Sequence, residues 1–310
     1  MKVFITGATG FVGRYVVGEL LSKGYEVYAG VRTLQKLHSL FGEKVKGYRV
    51  NFEDKEDLKK VLSEIKPDFV IHLIGILYED KKRGITFHKV HYLYSKNLVE
   101  VAKELGVRKF LFMSALGTHD EAPSLYHQTK RWAEKELIAS GLNYTIFRPS
   151  MILGPQQKLF YDMYKITSLI PVLVLPDGGR FPFQPVDVRD VACAYIKALE
   201  DPSTDKKTYE LCGTTVVSFR DLLKKIFDYW KRRVVIIPAP KELMYYSAKV
   251  VEKLISPPPF TSDQMLMMWK PNTCGEIKDE AIPNGVREIC KRDPIPFEES
   301  LRWSLENFKP

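Results

Sequence analysis

Short apolar runs and amphipathic stretches alternate along the first half of the chain, and that alternation predicts the fold. Residues 2–6 (KVFIT) are β-branched and aromatic and run straight into glycines, the pattern of a buried strand ending in a tight turn. Beyond Phe11, apolar Val12, Tyr15, Val16, Val17, Leu20 and Leu21 recur at helical spacing, and Gly24 closes that helix. Strand signals return at 26–31, 46–50, 69–74, 109–113 and 144–147, and helical spacing fills 55–65, 92–105 and 126–140. The runs FVIHLIG and FLFM barely alternate, as expected of strands buried on both faces. Repeated βαβ units of this kind predict an α/β protein built on a doubly wound parallel sheet. After about Pro155 prolines cluster and the rhythm loosens, which predicts a smaller, irregular C-terminal lobe. The expected division is a sheet domain over 1–155, with 183–213 returning to it, and a substrate or partner lobe from 156–182 and 214–310.

Composition narrows the class. A chain of 310 residues with 45% hydrophobic and 27% charged content is neither disordered, collagen-like nor coiled-coil. The longest apolar stretch, 169–175, contains a proline and falls far short of the ~20 residues needed to cross a bilayer. Residues 1–6 enter a strand with no charged leader, so a cytoplasmic protein is expected, peripheral to a membrane complex at most. Four scattered cysteines with no C-x-x-C pair predict buried free thiols in a reducing compartment and no metal site. The net charge of +9 is uneven, +7 in residues 1–150 and +2 in 151–310.

The glycines give that excess a candidate use. Thr6-Gly7-Ala8-Thr9-Gly10-Phe11-Val12-Gly13 reads T-G-x-x-G-x-x-G between a predicted strand and a predicted helix, the signature of a Rossmann-type dinucleotide site. A diphosphate needs backbone amides at close range and the positive end of a helix dipole, and a Cβ at these glycines would block the approach. An acidic residue about 20 positions further on holds the ribose 2′-hydroxyl of NAD. Arg32 stands there instead, and a guanidinium suits a 2′-phosphate, so NADP(H) is expected over NAD(H).

Tyr126-His127-Gln128-Thr129-Lys130 sets a phenol and an ammonium four apart on one helix face. A neighbouring cation stabilises phenolate, which equips a tyrosine to pass a proton at a carbonyl or alcohol. With TGATGFVG, VIHLIG, NLVEVAKELGVRKFLFMSALG, YHQTK, FRPSMILGP and PVDVRDVACAYIKAL, the chain resembles the extended, atypical short-chain dehydrogenase/reductases over most of its length. SALG, Arg32 and SPPPFTSDQMLMMWKPN (256–272) are similar more narrowly to bacterial relatives of the NADPH-binding accessory subunit of respiratory complex I.

The resemblance implies that Gly7, Gly10 and Gly13, with Thr9, Phe11 and Val12, hold the diphosphate. It places Arg32 on the 2′-phosphate, Asn51 and Phe52 by the adenine, and Leu73, Ile74 and Gly75 along the adenine and ribose side. Lys130 would bond the nicotinamide ribose, Tyr126 would donate the proton, and Ser114 would orient the substrate carbonyl or the tyrosine. Pro149, Ser150 and Met151 would pack beside the nicotinamide. Three features depart from the family pattern. Asn51-Phe52 replaces an acidic residue, His91 replaces an asparagine, and only 12 residues separate Ser114 from Tyr126.

Three functions follow as expectations. The first is reversible hydride transfer at a carbonyl or alcohol carbon of a small-molecule substrate; the second is an NADPH-binding structural or redox-sensing subunit without catalysis. The third is a nucleotide-sugar epimerase or dehydratase. His72, in an apolar strand, reads as a buried, hydrogen-bonded core residue. The basic runs 81–83 and 231–233 are not interleaved with aromatics, so no nucleic-acid partner is expected. The face of 241–255 made by Leu243, Met244, Ser247, Val250, Val251 and Leu254 is expected to pack into the protein's own core. Its alternative use is docking on a partner complex or a membrane surface.

Overall fold

A computed structural model describes residues 1–255, 258, 260–275 and 281–310; of the segment 256–272, positions 256, 257 and 259 lie outside the described residues. The chain divides into two units. The first comprises Met1–Pro149, Arg189–Leu211 and Ile282–Arg292, and the second Ser150–Val188, Cys212–Ala281 and Asp293–Pro310.

The first unit is built from β1 (Lys2–Thr6), α1 (Phe11–Ser22), β2 (Glu26–Val31), α2 (Leu34–Phe41), β3 (Lys46–Arg49), α3 (Lys55–Ile65), β4 (Phe69–His72), α4 (Tyr94–Glu104), β5 (Lys109–Met113), α5 (Leu125–Ala139) and β6 (Tyr144–Pro149). A further strand, Lys207–Leu211, pairs parallel with β6, and the seven-stranded order is Lys207–Leu211, β6, β5, β4, β1, β2, β3. Every ladder is parallel. Phe4, Val70, Phe110, Phe112 and Ile146 pack with Leu58, Leu62, Leu98, Val101 and Leu137 of α3, α4 and α5. On the opposite face of the pleat, Val3 and Ile5 are equally buried. The apolar strands are thus covered on both sides, as their sequence predicts.

Boundaries differ in two places that matter. Residues 69–74 were expected to be extended, but β4 ends at His72, and 73–75 leave the ladder. The helix expected over 92–105 begins earlier, with a π-helical turn at His88–Leu93 that runs into α4. Such single wide turns frequently sit at functional sites. Helix α2 gave no signal in the sequence reading.

The expectation of four free thiols is corrected. Cys193 pairs with Cys290 and Cys212 with Cys274, with Cα atoms 6.2 and 6.1 Å apart across 97 and 62 residues of sequence. Spacing along the chain carries no trace of pairings that only the folded units bring together. The inference of a reducing compartment from free thiols falls with it.

In the second unit, Phe160, Leu222, Leu223, Ile226, Phe297 and Leu301 form the core. Val172–Pro176 and Val235–Ala239 pair in parallel as a two-stranded ribbon. The helix Lys241–Leu254 corrects the expectation for its apolar face. Ala248 is its buried residue; of the predicted face Met244, Ser247 and Val251 are half-buried, while Leu243, Val250 and Leu254 are 59%, 58% and 78% exposed.

One buried ion pair ties α5 to the sheet. Glu134 is fully buried and receives Arg148 Nε at 2.8 Å and Nη2 at 2.7 Å in a bidentate fork, with Arg131 Nη1 at 3.1 Å on the same carboxylate. Arg148→Met should lower stability by about 3 kcal/mol, because it takes two of the three guanidinium contacts from a fully buried carboxylate and leaves it to Arg131 alone. The double variant Arg148→Met/Glu134→Leu should recover most of that loss in urea unfolding. A double variant as unstable as the single one would show that packing, not charge, carries the contact.

Candidate functional site

The sheet order reverses between β1 and β4, so their carboxyl ends open a crevice of the kind in which doubly wound sheets bind ligands. Thr6 and His72 stand opposite each other at the last rung. Gly7 follows with φ +75°, a conformation that suits glycine, and a Cβ there would meet the Leu73 carbonyl carbon at 3.0 Å and the Ile74 nitrogen at 3.2 Å. A Cβ on Gly13 would overlap the Gly7 carbonyl oxygen and sit 2.8 Å from Ala8 Cα. The Gly10 N–H donates to the Gly7 carbonyl at 2.9 Å, and no side chain caps α1, which begins at Phe11. Glycine is therefore favoured at 7 by its backbone angle and close contact and required at 13 by contact, and α1 begins at the end of the loop with no side-chain cap on its first turn. This cradle fits a dinucleotide diphosphate.

Around it, the predicted cofactor residues fall into place unevenly. Thr9, Phe11 and Val12 belong to the loop and first turn. Arg32, just past β2, is exposed and has no hydrogen bond or ion pair among the described residues. Asn51 is exposed, and its Oδ1 already accepts the Glu53 N–H at 3.1 Å. Phe52 is buried against Tyr94, ring centroids 5.7 Å apart, and Asn97 Nδ2 donates to its carbonyl at 3.0 Å. Pro149 ends β6, and its carbonyl accepts the Leu116 N–H at 3.0 Å. Ser150 and Met151 belong to the second unit, where Asn272 Oδ1 accepts the Ser150 hydroxyl at 2.6 Å and the Met151 N–H at 3.2 Å.

Residues 73–75 lead from the glycine loop to the Tyr–Lys helix. A Cβ on Gly75 would lie 3.4 Å from Lys130 Nζ and 3.7 Å from His91 Nε2. Lys130 is buried and donates to the Met113 carbonyl at 2.9 Å. Burial lowers its pKa to about 8, against a smaller opposing pull from the Glu134 carboxylate. Tyr126, half-buried, is walled by Phe87, His91 and His127, each edge-on with centroids 5.8, 5.2 and 5.1 Å away. Ser114 is buried just after β5, its hydroxyl 3.4 Å from Thr118 Oγ1 and its N–H 2.7 Å from the Phe147 carbonyl.

Histidines organise this cluster: His72 is buried and hydrogen-bonded, as its place in an apolar strand predicts, while His91 and His127 bridge segments in ways the sequence does not reveal. His91 Nε2 lies 3.1 Å from both the Ile76 N–H and the Ile76 carbonyl, and Nδ1 lies 3.1 Å from Thr129 Oγ1, so either neutral tautomer bridges Ile76 and Thr129. The Leu125 and Tyr126 carbonyls, at 2.9 and 3.0 Å, can accept the Thr129 hydroxyl. Burial, and then the Lys130 charge, hold His91 well below its ordinary pKa, so it stays neutral. His72 bridges Thr6 Oγ1 at 2.6 Å and Ser95 Oγ at 3.0 Å, and burial takes its pKa down to about 3. His127 spans Ser124 Oγ at 2.6 Å and the Leu116 carbonyl at 3.0 Å, fixing the loop that carries Ser114. Of these only His127 carries a local cue, its place beside Tyr126. No cluster of three or more potential metal ligands occurs among the described residues.

Residues 3–212 match the family model for the NAD dependent epimerase/dehydratase family. The chain belongs to that family. It is 31% identical over 278 residues to NADH dehydrogenase (ubiquinone) 1 alpha subcomplex subunit 9, mitochondrial, of Arabidopsis thaliana, covering 84% of this chain and 68% of that one. In fold it is similar to a UDP-glucose 4-epimerase of Thermus thermophilus, solved in complex with NAD, at TM-score 0.73 and 20% identity, covering 99% of each chain. An NADPH-dependent quinone oxidoreductase of Escherichia coli, complexed with NADPH, superposes at TM-score 0.73 and 18% identity, covering 97% of this chain and 98% of that one. No helix among the described residues is long and apolar enough to cross a membrane.

In this family member the buried Lys130 makes stability depend on alkaline pH. Its folded pKa of about 8 lies below the ordinary 10.5 of the unfolded chain, so between those values the unfolded state binds the extra proton and stability rises with pH. Relative to Lys130→Met, the wild-type protein should gain about 3 kcal/mol across that window in urea unfolding. A difference that stays flat from pH 8 to 10.5 would contradict a desolvated ammonium.

Proposed function

We propose that the first unit binds NADP(H) at the β1–β4 crevice and that the protein performs reversible hydride transfer at a carbonyl or alcohol carbon of a small substrate. The observation that carries this reading is the glycine cradle, where Gly7 and Gly13 have no room for a Cβ, together with an unpartnered Arg32 past β2. The bound nicotinamide would supply or accept the hydride. Tyr126 acts as general acid and base, its ring held by Phe87, His91 and His127. Lys130, with a pKa near working pH, takes part of the charge as the phenol proton moves, and bonds the nicotinamide ribose. Ser114 orients the substrate oxygen. Leu73, Ile74 and Gly75 line the ribose side, and Asn51 with Phe52 the adenine side.

A second reading has its own support. The 31% identity to an alpha subcomplex subunit of a ubiquinone-linked NADH dehydrogenase favours an NADP(H)-holding subunit of a larger assembly, docked through the exposed face of Lys241–Leu254. Such a subunit would be peripheral to its membrane partner.

Arg32→Gln should weaken NADPH binding roughly 10- to 100-fold and leave NADH binding nearly unchanged, the cost of about one to two charge-assisted hydrogen bonds. Equal loss for both dinucleotides would remove Arg32 from the 2′-phosphate. Tyr126→Phe should abolish turnover of carbonyl substrates while NADPH affinity, followed by cofactor fluorescence, holds. Retained turnover would sink the catalytic assignment and favour the subunit reading.

A further inference from the structure

A cleft of about 260 Å³ lies wholly within the second unit, and its lining is charged in one sense. Arg180, Lys241 and Lys270 face a single acid, Asp177, for a net charge of +2. None of the three cations has a hydrogen bond or ion pair among the described residues. Uncompensated cations gathered in one concave site repel one another, and an anion relieves that repulsion.

The wall of the cleft is aromatic and apolar on one side. Trp269 lines it, with Lys241 Nζ 5.5 Å from its ring centroid and the Tyr245 ring 5.7 Å away. Phe181 and prolines supply the remaining, apolar wall.

We propose that this cleft binds a phosphomonoester, a phosphoryl dianion carried on an apolar or aromatic body. A dianion matches the net charge of the lining, where a single carboxylate would leave half of it uncompensated. A guanidinium fork engages two phosphoryl oxygens at once, and ammonium groups add point charges on the others. The apolar body lies against Phe181 and Trp269. Two sources share this chemistry: a soluble phosphomonoester, or the headgroup of phosphatidic acid. The lipid source has its own motive, since Lys241 opens the helix whose Leu243, Tyr246, Val250 and Leu254 are exposed. None of these residues belongs to the first unit, so the proposal stands or falls apart from the dinucleotide reading.

The test uses the full chain with phenyl phosphate, and with phosphatidylcholine vesicles containing or lacking phosphatidic acid, followed by tryptophan fluorescence and calorimetry. Saturable binding is expected, weakened about tenfold or more in Arg180→Gln/Lys270→Gln and unchanged in the surface control Lys206→Gln. Trp269→Phe should lose the fluorescence change. Binding of phenyl phosphate identifies a soluble ligand. Binding of phosphatidic acid vesicles alone, with the same dependence on Arg180 and Lys270, identifies the lipid. Absence of saturable binding in both arms overturns the proposal. So does binding of equal strength in the double variant, or a fluorescence response that survives Trp269→Phe.

Discussion

The buried fork between Glu134 and Arg148 fixes α5, and α5 carries most of what the first unit has to offer chemically. Arg148 belongs to β6 and Glu134 to the helix one turn beyond Lys130, so a single contact sets the helix's height over the sheet. The carboxylate is shared with Arg131, and its charge also reaches Lys130, where it opposes the effect of burial. With the carboxylate in place Lys130 keeps a pKa near 8 and stays within reach of protonation; burial alone would push it lower still. Structure and proton chemistry therefore rest on the same side chain. Charges so deeply buried are costly to desolvate, and they persist only where each one is paired.

From that anchor the site extends by close backbone approach. Gly7, Gly13 and Gly75 each mark a place where one segment passes another with no room for a side chain, or with Lys130 and His91 at its edge. His91 occupies the place where the resembling family has an asparagine, and its role there is structural. A neutral imidazole joins Ile76, in the stretch after β4, to Thr129 on α5, and the π-helical turn at His88–Leu93 sets the ring between them.

Much of this was legible in the sequence, for physical reasons that differ by element. The strands β1, β2, β4 and β5 declare themselves because burial on both faces demands uninterrupted apolar runs. The glycine loop is legible because contact forbids any other residue, and Tyr126 with Lys130 because helical spacing puts them on one face. The rest depends on pairing across the fold. Glu134 and Arg148 are 14 residues apart with nothing local to join them, and the bridges Cys193–Cys290 and Cys212–Cys274 span far more. Asn272 sits in a segment singled out only for its resemblance, yet it is the acceptor that holds Ser150 and Met151. The amphipathic pattern of 241–255 correctly marks a helix, but periodicity does not say how far an apolar face meets its own core, and here Leu243, Val250 and Leu254 of that face meet solvent while Met244 and Val251 are half-buried.

The uneven charge of the chain also takes on a clearer meaning. In the first unit Arg32 is an exposed cation with no ion pair among the described residues, while several lysines pair with surface acids, as Lys55 and Lys59 do with Glu104. Local placement, rather than net charge, distinguishes a paired cation from an open one. The proposed function rests on NADP(H) occupying the β1–β4 crevice. Mass spectrometry of the small molecules released when the purified protein is denatured reads that occupancy. NADP(H) in near-stoichiometric amount is the predicted result; release of NAD(H) alone, or no dinucleotide bound even after incubation with excess NADPH, would contradict it.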